Sequence, residues 1–419
     1  MNDCLILITN YYPFHKGEEY LETELPYLAN GYSKIYVVST MADNNMKQTR
    51  SVPSNVEVIK SGVSHSLIGK LKMVLFGSKR AFYSRKKHSL LGEDGNSSIL
   101  KRAFSFYFEC RSNYIYSVIK DKLKGEEFDK FKKITIYSYW FYVTARVAVK
   151  LKQVYFQKGK IYTISRAHGY DINEHVNPLN FLPERKFLLH SLDSVFPVSQ
   201  NGVDFLKSKY PEYKDKVEVK RLGTKKQKAH IQNSNDKLNI VTCSVVRKLK
   251  RLDLLIEALA ILREKNINFK WTHIGDGPEF ENIKKIASEK LDENEYNFTG
   301  FIKNNEVLEW YKSNLTTVFV NISSSEGVPV SIMEAMSKSL PVIATDVGGT
   351  KEIVEPNVTG YLLKRDCTKY EIADSLIKIN TLSKDEYQIM CKEAFYRWDE
   401  QCNAERLYST FTKDLLIKS

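Results

Sequence analysis

The chain has 419 residues, 42% of them hydrophobic and 27% charged, with a formal net charge of +13. That length suits two or three domains. The composition is too apolar for disorder and lacks the bias of a collagen, a mucin-like stalk or a disulfide scaffold. No apolar run approaches the ~18 residues of a membrane-spanning helix.

Taken in chain order, the opening MNDCLILITN has one short apolar stretch, Cys4 to Ile8, and no basic flank, so it is not expected to be a secretory signal. Leu5–Ile8 and Ile35–Ser39 read as strands flanking a helix from about Glu19 to Ala29. A basic segment follows. Between Glu57 and Glu93 there is no acidic residue but Lys60, Lys70, Lys72, Lys79, Arg80, Arg85, Lys86 and Lys87, interleaved with Leu67, Ile68, Leu71, Leu75, Phe76 and other apolar side chains. Region 60–87 therefore suits an anionic membrane surface, where each basic residue adds about 1 kcal/mol of attraction. The plainer reading is a solvated loop containing a helix. No helix-turn-helix, RNP-like or finger pattern accompanies it, so nucleic acid is not an expected partner.

An aromatic-rich helix near Ile99–Lys120 precedes strands at Ile134–Tyr137, Ile161–Ile164 and Val195–Val198, with a helix around Val143–Val154. This βαβ alternation predicts a parallel, doubly wound sheet. Polar residues cluster at Gly223–Lys237, a linker signal. The chain's whole charge excess lies ahead of it: residues 1–222 carry +13 and residues 223–419 are neutral. A second α/β series follows, with strands Asn239–Cys243, Phe269–Ile274, Thr317–Asn321 and Pro341–Thr345. Helices are expected at Leu252–Leu262 and near Pro329–Ser337. The six cysteines are scattered without C-x-x-C or zinc spacing, so reduced thiols and a cytoplasmic location are expected.

The chemistry concentrates in Ser323–Gly349, SSSEGVPVSIMEAMSKSLPVIATDVGG. Glu326 is placed at a loop–helix junction and Glu334 about a turn inside the helix. Gly327 allows close backbone approach, and Pro329 suits a first helical turn. The free N–H groups near Val328–Ser331 suit a phosphate. Carboxylates beside an anion cradle are acceptors for sugar hydroxyls, which together match a nucleotide sugar. The plainer reading makes Glu326 a helix cap and Glu334 a solvated side chain. A second cluster, SVVRKLKR from Ser244 to Arg251, puts Arg247, Lys248, Lys250 and Arg251 after a strand, where open α/β sheets bind ligands. Such residues also commonly just face water.

The pattern S-E-G-x-P-x-x-x-x-E-A-M with P-V-I-A-T-D-x-G-G resembles the signature of glycosyltransferase family 4. HIGDGP at 273–278, FTGFI at 298–302, KRLDLLIEAL at 250–259, the opening ITNYYPFHKGEEYLETEL and SRAHGYD at 165–171 resemble it too. The resemblance implies the GT-B fold: two facing Rossmann-like domains (residues 1–222 for the acceptor, 223–395 for the donor) with a cleft between them. It also implies a C-terminal helix, 396–419, crossing back to the first. It implies a retaining enzyme using a nucleotide sugar, UDP-linked by default and GDP-linked next, with no cofactor. Glu334 would bind the ribose, Glu326 the sugar hydroxyls, and Lys250 the diphosphate, with Arg251 beside it. The backbone near Ile302 would meet the base, His168 the donor sugar, and Gly17 would let its loop approach donor and acceptor. Ser244, Arg247, Gly327, Val328 and Val330 complete the donor site.

One position departs from the family. Many members place an arginine five residues before the lysine, where this chain has Val245; Arg247 or Arg251 would substitute. No Asp-x-Asp occurs, so a metal-held diphosphate is not expected; helix and lysine supply that charge. His168 reads equally as a hydroxyl-binding or packing residue. The favoured acceptor is a lipid-linked surface glycan. The alternatives are a soluble acceptor and a degenerate relative acting as a binding subunit.

Overall fold

The computed structural model describes residues 2–14, 17–63, 66–87, 98–156, 160–227 and 237–418. The chain forms two compact units, Met1–Leu222 with Glu405–Ser419, and Gly223–Ala404. Residues 228–236 of the expected linker, His15 and Lys16 lie outside the described residues, as do the side chains of Arg80 and residues 82–87 in the basic segment.

The first unit runs β1 (Asp3–Thr9), α1 (Leu21–Gly31), β2 (Lys34–Ser39), β3 (Val56–Lys60), α2 (Leu67–Lys87), α3 (Ile99–Leu123), β4 (Lys133–Ser138) and α4 (Val143–Lys150). It continues through β5 (Lys160–Ala167), α5 (Gly169–Ile172), α6 (Arg185–Ser191), β6 (Ser194–Pro197) and α7 (Gln200–Lys209). Its sheet is parallel throughout, in the order β3-β2-β1-β4-β5-β6. The central strand β1, DCLILIT, is buried along its whole length, as a near-continuous apolar run must be when helices cover both faces. On one face Leu21, Leu25 and Leu28 of α1 pack with Leu5, Leu7 and Tyr137.

Helix α2 departs from amphipathic logic. Its buried seam is Gly69, Met73, Gly77 and Ala81, three small residues and one methionine at four-residue spacing. A Cβ on Gly77 would come within 2.2 Å of the Cys110 carbonyl oxygen of α3, so the two backbones touch there. The large apolar side chains consequently point outward: Leu67, Ile68, Leu71, Leu75 and Phe76 are all exposed by 60% or more.

The second unit runs β7 (Leu238–Cys243), α8 (Leu252–Glu264), β8 (Phe269–Ile274), α9 (Phe280–Lys290), β9 (Tyr296–Phe298), α10 (Asn304–Ser313), β10 (Val318–Asn321) and α11 (Val330–Met336). After it come β11 (Val342–Thr345), α12 (Thr350–Ile353), β12 (Gly360–Leu363), α13 (Lys369–Thr381) and α14 (Lys384–Gln401). Its parallel sheet has the order β12-β11-β10-β7-β8-β9. Both sheets thus have the doubly wound order, with switch points between β1 and β4 and between β7 and β10.

The last helix, α15 (Ala404–Lys418), packs in the first unit, where Phe411 and Leu415 join the core of β1 and α1. The expected boundary at residue 396 moves accordingly. Trp398 belongs to the core of the second unit, its indole N–H donating to Thr224 Oγ1 at 2.8 Å.

Candidate functional site

In a doubly wound sheet, ligands bind at the carboxyl ends of the strands where the winding reverses. In the second unit those ends carry the loops after β7 and β10. The loops are stitched together by Ser324 N–H donating to the Leu249 carbonyl at 2.8 Å. Lys250 Nζ meets Glu326 Oε1 at 2.6 Å, and the two side chains retain 20% and 13% exposure. Asn321 Nδ2 donates to the same carboxylate oxygen at 3.2 Å, while its own oxygen accepts from Ser323 Oγ at 2.6 Å. Ser244, Asn321 and Lys250 line one small crevice. The loop bearing Glu326 is backed by the glycine pair that follows β11. Gly348 has φ +56°, and a Cβ there would fall 2.1 Å from the Glu326 carbonyl oxygen.

Glu326 is not a helix cap. Helix α11 starts at Val330, its N-cap is Pro329, and no side-chain bond caps it. Glu326 lies in the loop four residues ahead of the helix rather than at its junction, and spends its charge on Lys250. Glu334 is buried rather than solvated. Its carboxylate lies near Cys243, whose thiol is pushed up to about 12 by burial and by Glu334, against the pull of Lys250. The Tyr311 phenol is raised by burial first, then by Cys243 and Glu334. Neither supplies an anionic nucleophile at neutral pH.

The basic residues divide by role. Arg251, left-handed at φ +50°, donates from Nε to the Ile322 carbonyl at 2.6 Å and approaches Cys367 Sγ at 3.7 Å. Its guanidinium thus braces the β10 loop. Arg247 is exposed, as is Val245. Of the two expected substitutes for the missing arginine, Arg247 is the one pointing to solvent. Gly327 is exposed, Val328 and Val330 are half-buried, and Pro329 is buried. Ile302, beyond β9, is half-buried against the unit's core.

His168 and Gly17 belong to the first unit. His168 follows β5 and is the N-cap residue of the short α5, its amide N–H held by the Asp171 carboxylate. Its ring lies 4.5 Å from Trp140 and 4.9 Å from Tyr139, centroid to centroid. Nδ1 stands 3.9 Å from Asp171 Oδ2, beyond hydrogen-bond reach. Both ring nitrogens are buried without a hydrogen-bond partner among the described residues. Stacking satisfies the ring faces, and two unpaired nitrogens are what a hydroxyl-bearing ligand would complete. Gly17 has φ +96° in the loop after β1, with room around it for a side chain, so its backbone conformation is what calls for glycine there. Sequence reasoning missed Asn321, Trp140 and Glu18, whose only signals are proximity to a strand end and to Gly17.

Residues 224–398, which lie in the second unit, match the family Glycosyl transferases group 1. A putative colanic acid biosynthesis glycosyltransferase of Escherichia coli (WcaL) is 26% identical over 265 residues. The match covers 62% of this chain and 64% of the relative, so under two thirds of the relative's length. The apo structure of the lipopolysaccharide outer core galactosyltransferase WaaB aligns over 99% of both chains with a TM-score of 0.67 and 13% identity. Anabaena Alr3699/HepE in complex with UDP-glucose aligns over 100% of both with a TM-score of 0.64 and 12% identity. At such identities these structures establish the fold, two α/β units of the GT-B type, and no more.

Proposed function

We propose that the protein is a retaining glycosyltransferase of the family 4 type that moves a hexose or N-acetylhexosamine from a nucleotide sugar to a lipid-linked surface glycan. The observation that carries this reading is the Lys250–Glu326 pair, at the switch point of a sheet that belongs to a group 1 glycosyltransferase domain. An ammonium has three N–H bonds and Glu326 takes one, leaving others for phosphate oxygens. Lys250, with the exposed Arg247, holds the diphosphate and meets the negative charge that grows as it leaves. That is why metal independence is part of the proposal. Glu326 accepts from sugar hydroxyls, and Glu334 from the ribose through a side chain buried on α11. Ile302 borders the base, and Ser244 with the backbone of Gly327–Val330 lines the diphosphate. The unpaired nitrogens of His168 bind a sugar hydroxyl near the reacting carbon, and Gly17 carries its loop toward the acceptor. Arg251 acts here as a brace rather than a ligand. The solved complex of HepE with UDP-glucose favours UDP over GDP.

The test is a panel of nucleotide sugars in EDTA, read by thermal shift and by slow sugar release. One UDP-sugar is expected to raise the melting temperature and to be hydrolysed. A response that appears only with added Mg²⁺ would overturn metal independence, and silence toward every donor would overturn the enzyme reading.

The acceptor side rests on α2. Leu67, Leu71 and Leu75 form an exposed row beside Lys70, Lys72 and Lys79, with Ile99 of α3 exposed as well, a composition suited to an anionic bilayer surface. No helix of the described residues is long and apolar enough to span a membrane, so the proposal is peripheral attachment at the cytoplasmic face. Replacing Leu67, Leu71 and Leu75 together by serine should weaken co-sedimentation with phosphatidylglycerol-containing vesicles by at least tenfold. Unchanged sedimentation would return α2 to a solvated helix and reopen the soluble-acceptor alternative.

A further inference from the structure

The carboxylate of Glu18 is used to its full capacity. Its Oε1 accepts from Asn10 N–H at 2.7 Å and from the Trp140 indole N–H at 2.7 Å. Its Oε2 accepts from Tyr11 and Tyr12 N–H, both at 2.8 Å. An ionised carboxylate offers about four lone-pair sites, and all four are taken. Three successive backbone N–H groups at the end of a parallel strand form a nest of the kind that elsewhere takes a phosphate. In this chain its own side chain fills it. Glu18 reaches the nest by adopting φ +60°, directly after Gly17 at φ +96°. A left-handed non-glycine residue is a conformation that persists only where surrounding bonds demand it, and the residue is 5% exposed.

With no acceptor capacity left, Glu18 is not an acid or base. What it controls is the indole. Trp140 follows β4; its N–H points at Glu18, and its ring lies against His168, 4.5 Å away and tilted by 44°. Strands β1, β4 and β5 are neighbours in the sheet, so Glu18, Trp140 and His168 stand in a row across three adjacent strand ends. An indole turned to leave Glu18 would abandon a half-buried N–H and lose its present packing against the imidazole.

We infer that Glu18 is a positioning residue for the transfer reaction: by anchoring the Trp140 indole it fixes the His168 imidazole that meets the sugar, and by closing the β1 loop it fixes Gly17. This rests on the glycosyltransferase reading above for what His168 touches, not for the row itself.

Two variants test it. Glu18→Gln puts an amide NH₂ where N–H groups converge, and Trp140→Phe keeps an aromatic face without its N–H. Both should lower kcat for nucleotide-sugar turnover by roughly ten- to a hundredfold, with the affinity for UDP, measured by calorimetry, within twofold of wild type. The ¹H–¹⁵N imidazole correlation of His168, assigned by its loss in His168→Ala, should move in both variants. The double variant should be no worse than the poorer single one, since both variants break the Glu18–Trp140 bond. If Glu18→Gln fails to fold, Trp140→Phe still decides. Imidazole signals that stay in place, or a kcat within twofold of wild type beside shifted signals, would overturn the inference. If wild type turns over no nucleotide sugar, the functional reading falls while the imidazole signals still judge the positioning.

Discussion

Lys250→Ala should lower glycosyl transfer by roughly 10²- to 10³-fold, the scale of removing one preorganised charge from a developing anion. Stability should change little. The lysine side chain keeps 20% of its exposure, and Glu326, left behind, keeps the Asn321 amide at 3.2 Å. Glu326→Ala should cost a comparable factor for a different reason: on the proposed reading the donor loses an acceptor for its hydroxyls, and the ammonium loses its anchor. The two losses should not add. Side chains 2.6 Å apart act as one device, and the double variant should fall near the poorer single one. Purified variants assayed with the donor identified by the nucleotide-sugar panel provide the check. Two single variants each within fivefold of wild type would remove the pair from the chemistry. Fully additive losses would show that the contact is incidental to two separate roles.

Most of the scaffold around that pair was legible, and the misses have physical causes. Strands buried on both faces announce themselves: LILI in β1, NIVTC in β7 and PVIAT in β11 are runs that only a covered sheet accommodates. The edge strands do not. β3 is half-buried at every position, β9 is three residues long, and three of the four residues of β12 are half-buried, so neither period nor length sets them apart. Helix α2 was legible as basic and apolar but not in its orientation. Periodicity arguments send leucine inward, whereas here Gly77 brings the α3 backbone too close for a side chain at that turn, and the leucines point outward.

The site divides the same way. Glu326, Glu334 and Lys250 stand in a composite motif whose spacing is visible in one dimension. Their geometry explains details the motif does not, such as why Glu326 precedes the helix instead of capping it. Arg251 looked like a phosphate ligand because it neighbours Lys250, but a left-handed backbone turns it onto the Ile322 carbonyl. Glu18 and Trp140 are 122 residues apart in sequence, and nothing short of the sheet order brings them together.

The largest effect on stability should come from a cluster with no part in the motifs. Arg166 Nε donates to the Tyr137 hydroxyl at 2.7 Å, Nη2 meets Glu24 Oε1 at 3.2 Å, and Nη1 reaches the Lys220 carbonyl. The Tyr137 hydroxyl donates to the same Glu24 oxygen at 2.9 Å, and the guanidinium lies 4.6 Å from the Phe411 ring centroid. Arg166 and Glu24 are fully buried. Burial by itself pulls the arginine toward deprotonation, but the Glu24 carboxylate and the phenols of Tyr137, Tyr408 and Tyr139 together more than offset it and keep the guanidinium charged. The cluster ties β5, β4, α1 and α15 to the segment that leaves the first unit.

Arg166→Met keeps the volume and strands Glu24 in the core, an expected loss of about 3–5 kcal/mol. For a unit of this size that is a fall in melting temperature of roughly 6–20 °C. Adding Glu24→Leu should recover at least half of the loss, because the two desolvation penalties disappear together and an apolar pair can pack in their place. Scanning calorimetry of the single and double variants reads both. A fall of under 2 °C in the single variant would mean that water or a neighbouring donor already compensates Glu24. A double variant worse than the single would mean that Tyr137, left without either charged partner, is what holds the strands in register.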